Sequence, residues 1–452
     1  MPFLKMPFSR PSSKQLASFD RRLRQEWSSS HSVKFITHFF PPDFAATGQF
    51  ISEIAQSLSQ EGIQVSVFTS QPAYAYRSAA APRHERYNNV FIWRSRLVRV
   101  WTHRVRGKTL QGLFFSLRCA LFFLRPRNRQ GMFVFTTAPP FLSMVALLAH
   151  KLFNIRYVCL IYDLYPDVAN QLGVSHPDQP ISKLWSWIND HAWRNAKALI
   201  VLNESMWDRV VHHCPLAAHK THVVHNWADH ERIKPLPKSL NWFAWKYQLI
   251  DKFTVLYSGN LGRCHDMETI FSTLCLLRDQ PIQFVFIGSG DNRRILEGKV
   301  QAAQLTNALF LPYQDWQDLP HTLAACDVSL VSIAQGFEGL VVPSKLYSSM
   351  AVGRPVAAIC EDQSYLVGLL RQAHCGQAFL NGDAQGLAHY LISLSQDPQR
   401  VEQEGINARN YLLDHFTKDQ STASYRSILV DLLTQPVRPV RPVESELYSL
   451  ER

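Results

Sequence analysis

Pro343-Ser344-Lys345 is the stretch whose residue types could do chemistry most directly. It follows an apolar strand pattern, Val328 to Ile333, and a loop holding Glu338 and Gly339, and it opens a helix-patterned segment that Gly353 stops. Proline is tolerated in a first helical turn, where its missing N–H would have no partner. A helix start behind a parallel strand turns free N–H groups and a positive dipole end toward an anion. Lys345 adds a full charge beside them, so the block suits a phosphate or diphosphate. An ordinary strand–loop–helix with a solvated lysine shares the pattern.

Two further loops repeat the arrangement. Phe253 to Tyr257 reads as a buried strand, followed by Ser258-Gly259-Asn260-Leu261-Gly262-Arg263 and a helix pattern from Asp266 to Leu277. Phe284 to Ile287 runs into Gly288-Ser289-Gly290-Asp291. Paired glycines let the backbone turn tightly and approach a ligand. Three such units build a crevice at the carboxyl ends of a parallel sheet, where open α/β folds bind ligands.

These loops, with Met350-Ala351-Val352-Gly353-Arg354-Pro355-Val356, resemble the nucleotide-sugar half of a GT-B glycosyltransferase, in the family-4 branch of colanic-acid and O-antigen enzymes. The first half agrees in order. Phe39-Phe40-Pro41-Pro42-Asp43 with Thr47-Gly48, Gln71-Pro72-Ala73-Tyr74, Thr136 to Pro140, Asp163-Leu164-Tyr165-Pro166-Asp167 and Asn226-Trp227-Ala228-Asp229 are similar to that branch's landmarks. The likeness spans residues 33–430. It implies an α/β fold of GT-B type: two doubly wound, parallel-sheet, Rossmann-like domains facing a central cleft.

The elements that must position these residues follow from periodicity. Val33 to Phe39 reads as the first strand; Phe50, Ile51, Ile54, Ala55 and Leu58 keep a helical period up to Gly62, and Val65 to Thr69 completes a β-α-β unit. Strand patterns recur at Val90 to Arg94, Met132 to Thr136, Val158 to Ile161 and Ala198 to Leu202, an alternation that predicts a doubly wound parallel sheet. The organisation expected is a flexible basic extension over 1–30, an acceptor-side domain over 31–228, a linker over 229–252, and a nucleotide-sugar domain over 253–412. A terminal helix over 413–434, within a helical pattern from Ala408 to Leu433, would return to the first domain, and 435–452 would be a flexible tail.

Composition narrows the class. With 46% hydrophobic and 18% charged residues the chain is globular. Its longest apolar runs, Leu142 to Ala149 and Gly112 to Leu124, are too short or interrupted to span a bilayer. The basic N-terminus lacks the apolar core of a secretory signal. Eight scattered cysteines without a Cys-x-x-Cys read as reduced thiols, neither a disulfide framework nor a zinc site. A cytoplasmic protein is therefore expected.

The net charge of +11 comes from one region: Arg86 to Tyr162 holds 13 Lys or Arg and no Asp or Glu. Within it Leu110, Leu113, Phe114, Leu117, Leu121 and Leu124 fall at helical spacing, Phe115, Phe122 and Phe123 widen the apolar face, and Lys108, Arg118, Arg125, Arg127 and Arg129 flank it. That composition fits a helix lying on an anionic membrane surface through 94–129, peripherally on the inner face of the plasma membrane. A core helix with an exposed basic rim is the other reading. No nucleic-acid motif accompanies the charge.

The resemblance assigns roles. Transfer from a nucleotide donor needs the leaving diphosphate stabilised, and in such folds helix N-termini and cations do this without a metal or cofactor; each preorganised donor is worth about 3–4 kcal/mol. Arg263, Lys345 and the N–H groups around Gly259, Gly262 and Ser344 fall at those places, with Asn260 and Gly288 in the same loops and Gly48 approaching from the opposite domain. Tyr313 follows a strand pattern where related enzymes meet the nucleobase. The family's usual pair of glutamates, eight apart, is replaced by Leu340 and Ser348; Glu338 could stand in for the first only if its loop shifts. The family's loop Arg and Lys correspond to Asn260 and about His265. On the acceptor side Asp163 and Asp167 could accept a proton or hold a sugar hydroxyl, and so basic a region should keep Asp163 ionised; a helix N-cap is the structural alternative. His38, His225 and Glu204 are lesser cleft candidates.

The expected activity is transfer of a hexose from a UDP- or GDP-activated donor to a polyprenyl-linked or glycan acceptor in surface polysaccharide synthesis, with retention implied by the resemblance alone. A nucleotide-sugar 2-epimerase of the same fold would need cleft carboxylates and histidines that are sparse here. The missing glutamates would also suit a non-catalytic membrane-associated assembly subunit.

Overall fold

Strands β1 (Ser32–Ile36) and β2 (Gln64–Thr69) flank helix α1 (Ala46–Gln60) in a computed structural model that describes residues 31–43, 45–72, 81–95 and 105–434. β3 (His84–Tyr87), β4 (Val90–Arg94), β5 (Met132–Thr136), β6 (Arg156–Leu160), β7 (Ala198–Val201) and β8 (Thr221–Val223) complete an eight-stranded sheet in the order β3-β4-β2-β1-β5-β6-β7-β8. The second sheet takes β9 (Phe253–Ser258), β10 (Ile282–Ile287), β11 (Ala308–Leu311), β12 (Val328–Ser332), β13 (Val356–Cys360) and β14 (Gly376–Leu380) in the order β11-β10-β9-β12-β13-β14. Helices cover both faces of each sheet, which is why β1, β5, β10, β12 and β13 are buried along their whole length.

The first sheet departs from the all-parallel expectation at one edge. β3 pairs antiparallel with β4, through a two-residue turn at Asn88 and Asn89 with φ of 47° and 62°. Asparagine is one of the few side chains that takes this left-handed backbone, and two in succession make the hairpin turn that suits strand twist.

Helix α2 (Val105–Phe123) has two apolar faces, and only one is partnered. Phe115, Cys119, Phe122 and Phe123 are buried, with Phe122 at 4.7 Å from the Phe68 ring and Phe123 at 5.1 Å from Phe133. Those rings belong to the core, not to the exposed face that the sequence pattern assigned them. Leu110, Leu113, Phe114, Leu117, Leu121 and Leu124 point outward. Next to α2 packs α3 (Leu142–Phe153), and against α3 packs α5 (Pro180–Asn195); the short α4 (Asp167–Gln171) and α6 (Glu204–His213) lie nearer the second domain. Among the described residues no helix is long and apolar enough to cross a membrane.

In the second domain α7 (Met267–Leu276) and α8 (Asp291–Ala302) follow the first two glycine loops, α9 (Lys345–Ala351) follows the third, and α10 (Tyr365–Ala373) leads to β14. Asp266 caps α7 by accepting from the Thr269 N–H at 2.9 Å. The predicted helix from Ala408 to Leu433 is two helices, α11 (Pro398–His415) and α12 (Lys418–Thr434), broken at Phe416-Thr417. α12 packs on α1: Tyr425 and Leu429 are buried with Ile51, Ile54 and Trp227 in the first domain's core. At the crossing, Ala228 and Thr417 form an isolated parallel bridge. The extension over 1–30, the tail over 435–452 and residues 96–104 of the basic segment lie outside the described residues.

Candidate functional site

Backbone geometry fixes the second domain's loops. Gly259, Gly288 and Gly290 have φ of 125°, 138° and 152°, a region that side-chain-bearing residues rarely adopt. A Cβ on Gly288 would lie 1.9 Å from the Gly259 carbonyl oxygen. The loops are stitched by Gly259 N–H to Ile287 O at 2.8 Å, Leu261 N–H to Ser289 O at 2.9 Å and Asn292 N–H to Leu261 O at 3.0 Å. The Gly259 amide is therefore engaged in the fold, contrary to its expected role on an anion.

Lys345 comes from 80 residues further along, where β12's loop opens α9, and lies on this wall. Its ammonium is 3.5 Å from His265 Nε2 and 4.9 Å from the Tyr257 ring centre. A Cβ on Gly259 would come to 3.0 Å from Lys345 Cε, so glycine there makes room for the lysine stem. His265 Nδ1 is 2.8 Å from the Ser332 carbonyl, which can only accept; Nδ1 carries the proton and Nε2 faces the ammonium as acceptor. Burial, and then Lys345, push the imidazole down to about 3. Burial lowers the Lys345 amine to about 8. His265 thus holds the lysine without sharing its charge, a role that sequence reading missed because it appears only once β9 and β12 lie side by side.

The other expected donor residues divide. The Asn260 side chain lies over Gly262 and Gly290, and Tyr257 donates its hydroxyl to the Asn260 carbonyl at 3.3 Å. Ser344 precedes α9 as its cap residue without a side-chain capping bond. Ser348 Oγ bonds back to the Lys345 carbonyl at 3.0 Å, inside its own helix. Tyr313 is exposed beyond β11. Gly48 spends its N–H on Ala45 O at 2.9 Å, and a Cβ there would lie 3.1 Å from the Phe39–Phe40 backbone, so α1 packs close against that loop. Its smallness serves packing in its own domain.

Glu338 is 3% exposed, at the seam between the domains. It lies near the Ser364 and Ser205 hydroxyls, with neither carboxylate oxygen in a well-formed hydrogen bond, and burial raises its pKa. Leu340, at the family's glutamate position, is buried, and its carbonyl accepts from Leu164 N–H at 3.0 Å.

Arg263 does not share Lys345's wall contacts. It is exposed, and its guanidinium donates across the cleft to the Leu172 carbonyl at 2.8 Å. Gln171 Nε2 donates to Gln335 O at 3.1 Å and Arg209 Nε to Glu338 O at 3.2 Å, so this edge of the cleft is drawn together largely through backbone acceptors.

On the opposite side Asp163 follows β6, its N–H on Thr137 Oγ1 at 3.2 Å. Burial pushes its carboxyl up to about 6, against the expectation that surrounding cations would hold it low. Burial and then Asp163 lift the Cys264 thiol to about 11, so the carboxylate lies within electrostatic reach of the second domain's glycine loop. Asp167, in the first turn of α4, faces His213 Nε2 at 3.2 Å. His38 is half-buried and stacked on Phe115 at 5.1 Å, and His225 bridges Glu204 and the Tyr347 hydroxyl at 3.2 and 3.4 Å. A cavity of about 480 Å3 adjoins the loop, lined by His265, Asp266, Asn292, Lys299, Gln335 and Asn381 among others. All eight cysteines are free, and among the described residues no group of three His, Cys, Asp or Glu could hold a metal ion.

The arrangement places a half-buried ammonium on a glycine-loop wall in one domain and a half-buried carboxylate in the other. Comparison with known proteins agrees with that division. Residues 46–227 match the family described as "Glycosyl transferase 4-like domain" and residues 245–411 the family "Glycosyl transferases group 1". The chain is 27% identical over 298 residues to the probable glycosyltransferase WbjE of Pseudomonas aeruginosa, covering 64% of this chain and 71% of that one. It is 25% identical over 332 residues to the putative colanic acid biosynthesis glycosyl transferase WcaI of Escherichia coli K12, covering 70% and 79%. Among solved structures, Anabaena HepE in complex with UDP and glucose superposes with a TM-score of 0.65 at 15% identity, over 88% of this chain and 99% of that one. The chain belongs to the family-4 glycosyltransferases of GT-B fold, of the polysaccharide-biosynthesis type.

Proposed function

We propose that the protein transfers a hexose from a UDP- or GDP-activated donor to a polyprenyl-linked or growing glycan acceptor, with retention of anomeric configuration on family grounds. The observation that carries this reading is Lys345: a half-buried ammonium, held by His265 and Tyr257 beside Gly259, where a leaving diphosphate gains most from a fixed charge. The structural neighbour that holds UDP and glucose supports a nucleotide-sugar donor. In this reading Lys345 and the N–H groups opening α9 take the charge that a metal carries in other transferases, and no further cofactor takes part. Asp163 orients or deprotonates the acceptor hydroxyl, and Arg263 exchanges its cross-cleft bond for the donor.

The exposed leucines of α2, with Arg118, Arg125 and Arg127 around them, support peripheral attachment to the inner face of the plasma membrane, where a lipid-linked acceptor would be met. Calorimetric titration with UDP-, GDP- and ADP-sugars, with and without a chelator, tests the donor assignment. Micromolar binding of one of them, unchanged by the chelator, is the expected result; silence across the panel would remove the enzyme reading.

A further inference from the structure

A second basic site lies in the first domain, apart from the glycine loops. Arg83, Arg94, Arg118 and Arg125, with Ser95 and Asn128, surround a cavity of about 110 Å3. At about 30 Å3 per water it has room for three or four waters, roughly the bulk of one phosphate group. Arg94, the last residue of β4, is 1% exposed. Its guanidinium donates to Pro82 O at 3.1 Å, to the Glu85 carboxylate at 2.5 Å and to Pro41 O at 2.7 Å. Among the described residues Arg94 Nε is buried without a hydrogen-bond partner, and so is the hydroxyl of Ser95, itself 3% exposed. Native proteins seldom leave buried donors unused, and both of these residues line the cavity.

The other walls come from elsewhere in the chain. Arg118, Leu121 and Phe122 line the cavity from one face of α2, and Arg125 from the extended turn just beyond its end. Among the described residues no carboxylate pairs with Arg83, Arg118 or Arg125; Glu85 answers Arg94 alone. Clustered guanidiniums repel one another, and their planar donors fit the oxygens of a phosphate, whose charge can answer more than one of them at once. Leu121 lies between two surfaces: it lines the cavity, and it stands in the exposed apolar row with Leu117 and Leu124.

We propose that this cavity binds the phosphate or diphosphate group of a lipid, whose hydrocarbon chain lies along Leu117, Leu121 and Leu124. The group could belong to a membrane phospholipid or to a prenyl diphosphate carrier, since the recognising chemistry is the same. The site does not depend on the donor assignment, and it is read separately from nucleotide binding.

The test compares the full-length protein with Arg118→Gln/Arg125→Gln, two exposed positions whose exchange should leave the melting temperature unchanged. Calorimetry with farnesyl diphosphate, farnesol as the uncharged control, and flotation with phosphatidylglycerol-containing and pure phosphatidylcholine vesicles read the two sources. At least a tenfold loss of farnesyl diphosphate affinity, with farnesol unaffected, identifies the carrier diphosphate. The same loss confined to phosphatidylglycerol vesicles identifies the membrane headgroup. Ser95→Ala should weaken whichever ligand responds. Equal binding of both probes by wild type and double variant overturns the site, and so does an equal loss in Arg127→Gln/Lys151→Gln, which removes two exposed charges outside the cavity.

Discussion

Replacing Lys345 by Met removes one charge from the glycine-loop wall and keeps most of the side chain's volume. Its worth can be estimated from position. The ammonium is half-buried, with His265 Nε2 at 3.5 Å, so an anion resting on Gly259 would sit at about 4 Å. One charge pair at that distance is worth about 4 kcal/mol at an effective dielectric near 20. Solvent entering the cleft weakens it, so the loss in affinity for free UDP or GDP should fall between tenfold and several hundredfold, roughly 1.4 to 3.5 kcal/mol. The pH dependence is sharper. Without an anion beside it the amine titrates near 8; a bound diphosphate raises that value. Affinity should therefore be level below about pH 8 and fall toward tenfold per unit above it, because the complex keeps a proton that the free protein has lost. Titration calorimetry from pH 6.5 to 9.5 measures both effects, and Lys345→Met should show the lower affinity and no slope. An affinity within threefold of wild type, with the slope intact, would refute the role given to this lysine.

Burial holds Asp163 near 6, so transfer that needs its ionised form should decline tenfold per pH unit below about 6 and level off above; Asp163→Asn should lower kcat by about 10² to 10⁴-fold and erase that acidic limb in a rate–pH profile. Phe122→Ala should cost about 3–5 kcal/mol and lower the melting temperature, since its ring packs on Phe68, whereas Leu117→Ser should leave the melt unchanged and weaken vesicle flotation. Gly288→Ala places a methyl against the Gly259 carbonyl; nucleotide binding should be lost with the loop, and retained binding would show that the two loops move independently.

Much of this was legible in the sequence because the signals were local. Strand–glycine–helix blocks announce themselves within a dozen residues, and Asp266 stands where a helix cap belongs. What stayed hidden depended on partners far along the chain. The rings of Phe115, Phe122 and Phe123 and the leucines between them have the same apolar character, and only the sheet beneath decides which face is buried. The Asn88-Asn89 turn was a local signal and could have been read as a hairpin. The break at Phe416-Thr417 carries neither glycine nor proline, so helical pattern ran through it. Charge counting put cations around Asp163, but Arg86, Arg94, Arg118, Lys151 and Arg156 are spread over β3, β4, α2, α3 and β6, and the carboxylate answers to burial instead.

The bridge between Ala228 and Thr417 has a mechanical consequence. The polypeptide passes from one lobe to the other at 228–229 and returns at 416–418, and the two passages run side by side. A pair of adjacent straps behaves as a door hinge: it allows the lobes to swing about one line and resists their swivelling past each other. Any swing that brings Lys345 and Asp163 together would then follow a single arc, with the facing loops meeting in one alignment.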